Sequence, residues 1–236
     1  MQNLIVVCAD IGSVTAERFG WWSSIRQKGT TPSSLAAFVA GALDAGFPVA
    51  LGFECPLFVP LAYNERQLTS ARPGEGSRPW SAGAGCGALT TGLVQVAWVL
   101  QEVRKLLTEW KKSARAYLRW EEFEDNAQAE VDLAPGRLFV WEAFISGAGK
   151  ALSYRDATLI DAQWAHVRDA CIAVEAFEQA RLDPPLPKHG VEMQGEQPVY
   201  SLIGAALLRT GWSDDLGLLS QPCVVIMPAL AAVALK

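Results

Sequence analysis

Short apolar runs, each closed by polar residues, predict the strands of a buried sheet. Residues 4–9 are continuously apolar and rich in β-branched side chains, which is typical of a strand covered on both faces. This run ends at the polar turn Asp10-Ile11-Gly12-Ser13. Residues 18–25 carry aromatic side chains and are expected to pair back as an antiparallel strand. Further strands are predicted at 48–53 and 138–145, and a last strand or buried extension at 223–227.

Helical segments separate these strands. Thr31 and Pro32 form a helix start, with Thr as the cap and Pro in the first turn, and this helix is expected to stop at Gly46. Apolar periodicity predicts longer helices at 89–120 and 155–181 and a short helix at 199–209. Connections are predicted at the glycine-rich segment 60–87, the acidic segment 121–130 and the Pro- and Gly-rich segment 182–198.

The alternation of strands and helices predicts an α/β fold with one mixed central sheet flanked by helices. The chain has 236 residues, a length that suits one large domain or two small ones. Segment 182–198 is the only plausible boundary, and the tail that follows it is too short to fold alone. We therefore predict a single domain over 1–236, in which 182–236 form a loop and a C-terminal extension.

Composition narrows the class of protein. Hydrophobic residues make up 50% of the chain and charged residues 19%, so a wholly disordered chain is excluded. The formal net charge of −5 argues against a polycation that coats nucleic acid. The five cysteines lie far apart without a Cys-x-x-Cys pair, and the chain has only 2 histidines. A disulfide framework or a zinc site therefore has little support.

No targeting or membrane segment is apparent in the sequence. The apolar start of the chain is too short for a signal core and runs into Asp10. The apolar stretch 223–235 is interrupted by Pro228 and falls short of the about 20 residues that a spanning helix needs. We expect a cytoplasmic protein without a membrane partner.

Carboxylates fall at the ends of the predicted strands. Asp10 and Glu54 each follow an apolar run, Glu142 lies within a third run, and Asp169 lies on a later helix. Sites in open α/β sheets form beyond the carboxyl ends of strands, where such acids converge. Clustered carboxylates repel each other unless a cation binds, and Mg²⁺ or Mn²⁺ prefers oxygen ligands of this kind. Three or four of these carboxylates meeting at one end of the sheet would therefore suit a divalent cation.

Each acid also has a structural interpretation. Asp10 is also a turn-forming residue, and Glu54 is also a candidate ion-pair partner for an arginine of the loop that follows it. Glu142 is also compatible with a solvent-facing position on an edge strand. Asp161 is interpreted as a surface acid of a helix.

Two further groups of residues bear on chemistry. His166 and Asp169 are spaced i, i+3 and share a helix face, which suits a general base or phosphate-orienting group as well as a surface His–acid pair. Arg66, Arg72 and Arg78 lie in the predicted loop 60–87, where they would either clamp a substrate phosphate or keep the loop soluble.

Several short motifs resemble those of the ribonuclease H-like superfamily. They are the turn Asp10-Ile11-Gly12-Ser13 after a first strand, the strand-end acid Glu54, and His166-x-x-Asp169-Ala170 on a late helix. The last motif resembles the corresponding helix of Holliday-junction resolvase-type nucleases. A family of predicted nucleases of unknown function with this fold is similar at four more segments. These are Gly52 to Leu57 with the arginine-bearing loop after it, Trp141 to Phe144, Ser201 to Ala206, and Gly211-Trp212.

The resemblance implies a metal-dependent nuclease that binds nucleic acid transiently and cleaves it by a two-metal mechanism with Mg²⁺ or Mn²⁺. Asp10, Glu54 and Asp169 would be metal ligands, Glu142 a fourth ligand, and His166 an auxiliary base. Two departures from the family pattern stand out. The usual three-stranded antiparallel opening is compressed, since only 18–25 indicates a second strand, and no proline follows Glu142.

Other functions remain open at the level of sequence. A catalytically silent ribonuclease H-like binding or scaffold protein would keep the same fold. An actin-like phosphotransferase also begins its phosphate site with Asp-x-Gly-Ser, but such enzymes need two related domains, for which this chain has no room. The sequence is compatible with either DNA or RNA as the substrate, and with either an endonuclease or an exonuclease. A protein partner or a second copy of the chain also stays open.

Overall fold

The structure is a computed structural model that describes residues 3–109, 113–125, 136–145, 156–161, 164–182 and 198–227. Its strands are β1 (Ile5–Asp10), β2 (Gly20–Ser23), β3 (Lys28–Gly29), β4 (Val49–Glu54), β5 (Phe58–Pro60), β6 (Arg115–Tyr117), β7 (Arg137–Ala143), β8 (Val199–Ser201) and β9 (Val225–Ile226). Its α-helices are α1 (Pro32–Asp44), α2 (Gly83–Leu106), α3 (Trp120–Asp125), α4 (Ala165–Leu182) and α5 (Leu202–Arg209). Short 3₁₀ turns lie at Val14–Ala16, Glu65–Gln67, Ala157–Leu159 and Leu216–Ser220.

A mixed sheet of seven strands forms the centre of the fold, in the order β3-β2-β1-β4-β7-β6, with β9 also paired to β7. Strands β1, β4 and β7 are mutually parallel, whereas β2 is antiparallel to β1 and β3 is antiparallel to β2. The predicted α/β class with a mixed central sheet is therefore confirmed. The compressed opening predicted from the sequence is wrong, because the two-residue strand β3 completes a three-stranded antiparallel opening.

Both faces of the sheet are buried. Along β1, Ile5, Val7 and Ala9 belong to one apolar cluster, which also contains residues of α1, α2 and α5. Val6 and Cys8 belong to a second cluster with residues of α3 and α4. Side chains alternate between the two faces of a strand, so helices on both sides explain why the run 4–9 is apolar throughout.

The start and end of α1 follow the local signals in the sequence. The Thr31 side chain accepts a hydrogen bond from the Ser34 amide at 3.2 Å, and Pro32 occupies the first turn. Gly46 has a φ of +86°, which only glycine adopts without strain. The predicted strands at 48–53, 138–145 and 223–227 are confirmed as β4, β7 and β9, although β9 is short.

The prediction of one helix over 89–120 is wrong. α2 ends at Leu106, and Leu107 takes an extended backbone conformation. The Thr108 amide and hydroxyl both donate to Asp44 at the end of α1, and the Arg104 guanidinium donates to the Ala114 carbonyl. These contacts turn the chain back into β6. Residues 110–112 within this segment lie outside the described residues.

Two other predicted helices begin later than expected. Within 155–181, a 3₁₀ turn at Ala157–Leu159 precedes α4, which begins at Ala165; residues 155, 162 and 163 are not described. Within 199–209, the first three residues pair with β5 as strand β8. The acidic connector contains α3, and its residues 126–130 are not described. Residues 183–197 of the predicted loop 182–198 are also outside the described part.

Among the described residues, α2 is the one helix that is long and apolar enough to cross a membrane. Of its most apolar stretch of 18 residues, 22% is buried. Its buried residues include Val96, Val99 and Leu100, which belong to the core cluster. Core helices of soluble proteins share this length and composition. The expectation that the protein has no membrane partner stays a prediction.

Candidate metal centre

Asp10 and Glu54 are brought together by the register of two parallel strands. Each is the last residue of its strand, and the two are direct partners in the pairing of β1 with β4. Adjacent strands lie about 4.8 Å apart, so partners in one row place their side chains next to each other on the same face. This face is the one that α4 covers, because Cys8, two residues before Asp10, packs in the α4 cluster.

Helix α4 approaches this pair through a gap left by Gly20. Gly20 on β2 is the strand partner of Asp10. A Cβ atom at Gly20 would lie 2.5 Å from the Val167 amide nitrogen and 2.6 Å from the His166 carbonyl carbon. Since no side chain fits there, the first turn of α4 can lie directly over the sheet edge.

The close approach of α4 adds Asp169 to the pair. Candidate ligand oxygens of Asp10, Glu54 and Asp169 all lie within 4.8 Å of one another. Asp10 is only 8% exposed, and Glu54 and Asp169 are half-buried. The grouping of these three acids is as predicted from the sequence. Three carboxylate groups at such distances form an all-oxygen donor set, which suits a hard divalent cation such as Mg²⁺ or Mn²⁺.

His166 contacts the carboxylate of Asp10. Its Nδ1 atom lies 2.5 Å from Asp10 Oδ2, and its side chain is 36% exposed. The i, i+3 spacing to Asp169 placed His166 on the correct helix face, but no local pattern indicated this contact between residues 156 positions apart. The imidazole is therefore positioned by a strand-end acid, and its other edge faces away from that bond.

Burial and nearby carboxylates both act on two thiols beneath the cluster. The pKa of the Cys8 thiol is raised well above its usual range, chiefly by burial and further by the charges of Glu54 and Asp10. Burial also raises the pKa of the Cys55 thiol, with added contributions from Glu142 and Glu54. In both thiols burial is the larger cause, and the charges of the nearby carboxylates add to it.

Glu142 does not join the three acids, which corrects the prediction of a fourth ligand. It pairs with Phe53, one residue before Glu54, so its side chain points to the opposite face of the sheet. There Oε1 and Oε2 accept hydrogen bonds from the Arg72 guanidinium at 2.5 and 2.9 Å, and Oε2 also accepts from the Leu57 amide at 2.9 Å. The Glu142 carboxylate is thus a structural ion-pair partner with no exposed surface.

Arg72 is part of the same buried network and not a mobile clamp, which corrects its predicted role. Its side chain is 2% exposed, its Nε donates to Glu75 at 2.8 Å, and its guanidinium packs 4.6 Å from the centre of the Phe58 ring. Burial alone lowers the pKa of this guanidinium. The charges of Glu142 and Glu75 and their hydrogen bonds outweigh burial, so the pKa of Arg72 is raised above its usual range.

The other two arginines of the loop lie in different places. Arg66 is an exposed residue of the 3₁₀ turn Glu65–Gln67, with its amide bonded to Asn64. Arg78 is exposed and lines a pocket that Glu54 also lines. Trp80, which the sequence did not single out, lines the same pocket. Its position in the arginine-bearing loop is a signal that could have identified it.

In comparisons with known proteins, no family model, no curated protein and no solved structure matches this chain. The relationship to the ribonuclease H-like superfamily therefore stays a prediction from short motifs. Any assignment of function depends on the geometry of the site.

Proposed function

We propose that this protein is a metal-dependent nuclease of the ribonuclease H-like superfamily, which hydrolyses phosphodiester bonds of DNA or RNA by a two-metal mechanism. The observation that carries the proposal is the group formed by Asp10, Glu54 and Asp169, whose candidate ligand oxygens lie within 4.8 Å of one another. Three acids so close together are costly for a fold unless a cation compensates their charge.

The donor set fits Mg²⁺ or Mn²⁺, and Asp10, Glu54 and Asp169 would hold the metal. When bound, such ions activate a water molecule and stabilise the leaving oxygen of a phosphodiester. The site also lies at the carboxyl ends of parallel strands, where open α/β sheets bind their ligands. Rigid strands and a helix carry all three acids, which keeps their spacing fixed.

His166 would act at the edge of this group. Its bond to Asp10 holds the carboxylate in one orientation and fixes the imidazole beside it. If Nδ1 carries the proton of that bond, Nε2 is left as an acceptor for a proton from a bound water. The half-exposed ring would then serve as the auxiliary base.

The order of strands supports the superfamily assignment. The three-stranded antiparallel opening that the resemblance implies is present as β1, β2 and β3, with Asp10 at the end of the first strand. The His-x-x-Asp motif lies at the start of a helix that packs over the same strand end.

A cleavage assay tests the proposed function. Asp10→Asn and Asp169→Asn each remove a negative charge from the site at nearly constant size, so Mn²⁺-dependent cleavage of single- or double-stranded substrates should fall at least about 100-fold. Asp161→Asn is the matched control, because Asp161 is an exposed acid just before the same helix. Its cleavage rate should equal that of the wild type.

Two results would contradict the proposed nuclease function. Cleavage that survives both Asp10→Asn and Asp169→Asn would mean that the group does not carry the reaction. A wild-type protein that binds Mn²⁺ but cleaves neither DNA nor RNA would favour the alternative, a catalytically silent protein with the same fold.

A further inference from the structure

A pocket of about 100 Å³ opens next to the three acids, on the side of Glu54. Its walls come from the ends of β4 and β7, the first turns of α2 and the loop before α2. The residues that matter for its chemistry are Glu54, Arg78 and Trp80, and Phe144 and Ile145 are among the apolar residues of its wall. The pocket therefore combines one cation and one indole with the edge of the candidate metal centre.

The loop that carries Arg78 and Trp80 is held in place from within. The indole Nε1 of Trp80 donates to the Ser70 carbonyl at 3.0 Å, and the Ser81 hydroxyl donates to the Thr69 carbonyl at 2.8 Å. Arg72 ties the same loop to Glu142 in the sheet. The pocket wall is thus preorganised, which lowers the entropy cost of binding a ligand.

The chemistry of the wall points to a nucleotide. An indole offers a flat surface on which any base can stack, and an exposed guanidinium pairs with phosphate oxygens. Arg78 is exposed and Trp80 is half-buried, so both are accessible. The two remaining acids of the wall, Glu75 and Glu142, are engaged by Arg72. Arg78 is the exposed cation among the residues that line the pocket.

The size of the pocket limits its ligand. Pockets for drug-sized molecules measure roughly 300–1,000 Å³, whereas this one has about 100 Å³. One planar group fits, and a stacked pair of bases does not. A base can enter only if it has left the stack, as in a single strand or at a frayed end.

We infer that this pocket binds one unstacked nucleotide of a single-stranded substrate, with its base against Trp80 and a phosphate at Arg78. This inference rests on the proposed nuclease function and names its substrate class. It also explains why the pocket shares Glu54 with the metal centre, since a nucleotide held there would lie next to the phosphodiester bond to be cleaved.

Equilibrium binding of a fluorescently labelled single strand of eight thymidylates tests this inference. Ca²⁺ replaces Mg²⁺, because its looser coordination occupies oxygen sites without supporting the metal-activated cleavage. Trp80→Leu and Arg78→Gln should each weaken binding of the single strand by about tenfold or more. Trp98→Leu and Arg66→Gln are matched controls outside the pocket and should bind like the wild type.

Two further ligands test whether the pocket prefers a single strand to a duplex or a free nucleotide. A blunt duplex of the same length and free thymidine monophosphate should each bind at least about tenfold more weakly than the single strand. Equal binding of the duplex would overturn the requirement for an unstacked base. Equal binding of the monophosphate would overturn the strand as the ligand.

Mn²⁺ titration of the same variants keeps this inference distinct from the proposed function. Trp80→Leu should bind Mn²⁺ as the wild type does. Single-strand binding that is unchanged in Trp80→Leu and Arg78→Gln would overturn the nucleotide pocket, even in a protein that cleaves. Single-strand binding that depends on Trp80 in a protein without Mn²⁺ affinity would overturn the nuclease proposal and retain the pocket.

Discussion

At the scale of single residues, the contact between His166 and Asp10 ties the first turn of α4 to one of the three acids. A carboxylate that accepts a hydrogen bond from an imidazole is fixed in orientation, and the imidazole is fixed in turn. Because Asp10 lies on β1 and His166 lies on α4, the contact forms only when α4 packs in this position on the sheet.

Substitution of His166 tests this role. His166→Ala should lower the rate of Mn²⁺-dependent cleavage about 10- to 100-fold, because Asp10 loses the group that orients it. His166→Asn should recover part of the rate, since the amide can donate to Asp10 from a position near that of Nδ1. Rates measured at saturating Mn²⁺ check the prediction, and an unchanged rate in His166→Ala would contradict it.

At the scale of elements, the approach of α4 to the end of β1 depends on the missing side chain of Gly20. A methyl group there would have to displace the backbone of His166 and Val167, which lies within 2.6 Å. The displaced backbone belongs to the helix turn that presents His166 and Asp169 to the strand ends. Gly20 therefore acts on the site without being part of it.

Substitution of two glycines separates this packing effect from backbone effects. Gly20→Ala should destabilise the protein by about 1–3 kcal/mol through overpacking, and it should weaken Mn²⁺ binding because α4 moves. Gly41→Ala is the matched control: Gly41 lies inside α1 with no atom near an added methyl group, so its substitution should stabilise by about 0.5–1 kcal/mol. Urea denaturation of both variants measures these differences. A neutral Gly20→Ala would contradict the close approach.

Elements defined by local signals could be predicted from the sequence, and elements defined by distant contacts could not. The apolar run 4–9 is itself sufficient to indicate a strand covered on both faces, and Thr31-Pro32 carries the helix cap. The end of α2 is different, because it is fixed by the bond of Thr108 to Asp44, 64 residues earlier. The apolar and basic residues around 107–120 remain compatible with a helix until that partner is known.

The same distinction applies to the site. Asp10 and Glu54 each follow an apolar run directly, so their convergence at one sheet edge follows from parallel pairing. Glu142 could not be assigned to a face, because a shift of one residue in register sends a side chain to the opposite side of the sheet. Its partner Arg72 is 70 residues away, and no local pattern indicates that pairing.

At the scale of the whole molecule, the network of Glu142, Arg72 and Glu75 joins the central sheet to the loop that forms the pocket wall. All three side chains are buried, so each charge depends on the others for compensation. Glu142 also accepts a hydrogen bond from the Leu57 amide, and Arg72 donates one to the Phe58 carbonyl. These two bonds fix the chain after β4.

Removal of Arg72 should therefore be severe. Arg72→Met leaves two buried carboxylates without their cation, and we expect a loss of about 3–5 kcal/mol in the free energy of unfolding. Arg66→Met removes an exposed arginine of the same segment and should change stability by less than about 0.5 kcal/mol. Thermal and urea denaturation compare the two. Equal stability of both variants would contradict the structural role given to Arg72.

Binding of a divalent cation by Asp10, Glu54 and Asp169 together underlies the proposed function, and isothermal titration with Mn²⁺ tests it most directly. The wild type and Asp161→Asn should bind Mn²⁺ with the same affinity, whereas Asp10→Asn and Asp169→Asn should each weaken it by at least about tenfold. Circular dichroism of the variants confirms that the fold is retained. Mn²⁺ binding that is absent in the wild type, or unchanged in Asp10→Asn and Asp169→Asn, would contradict the claim.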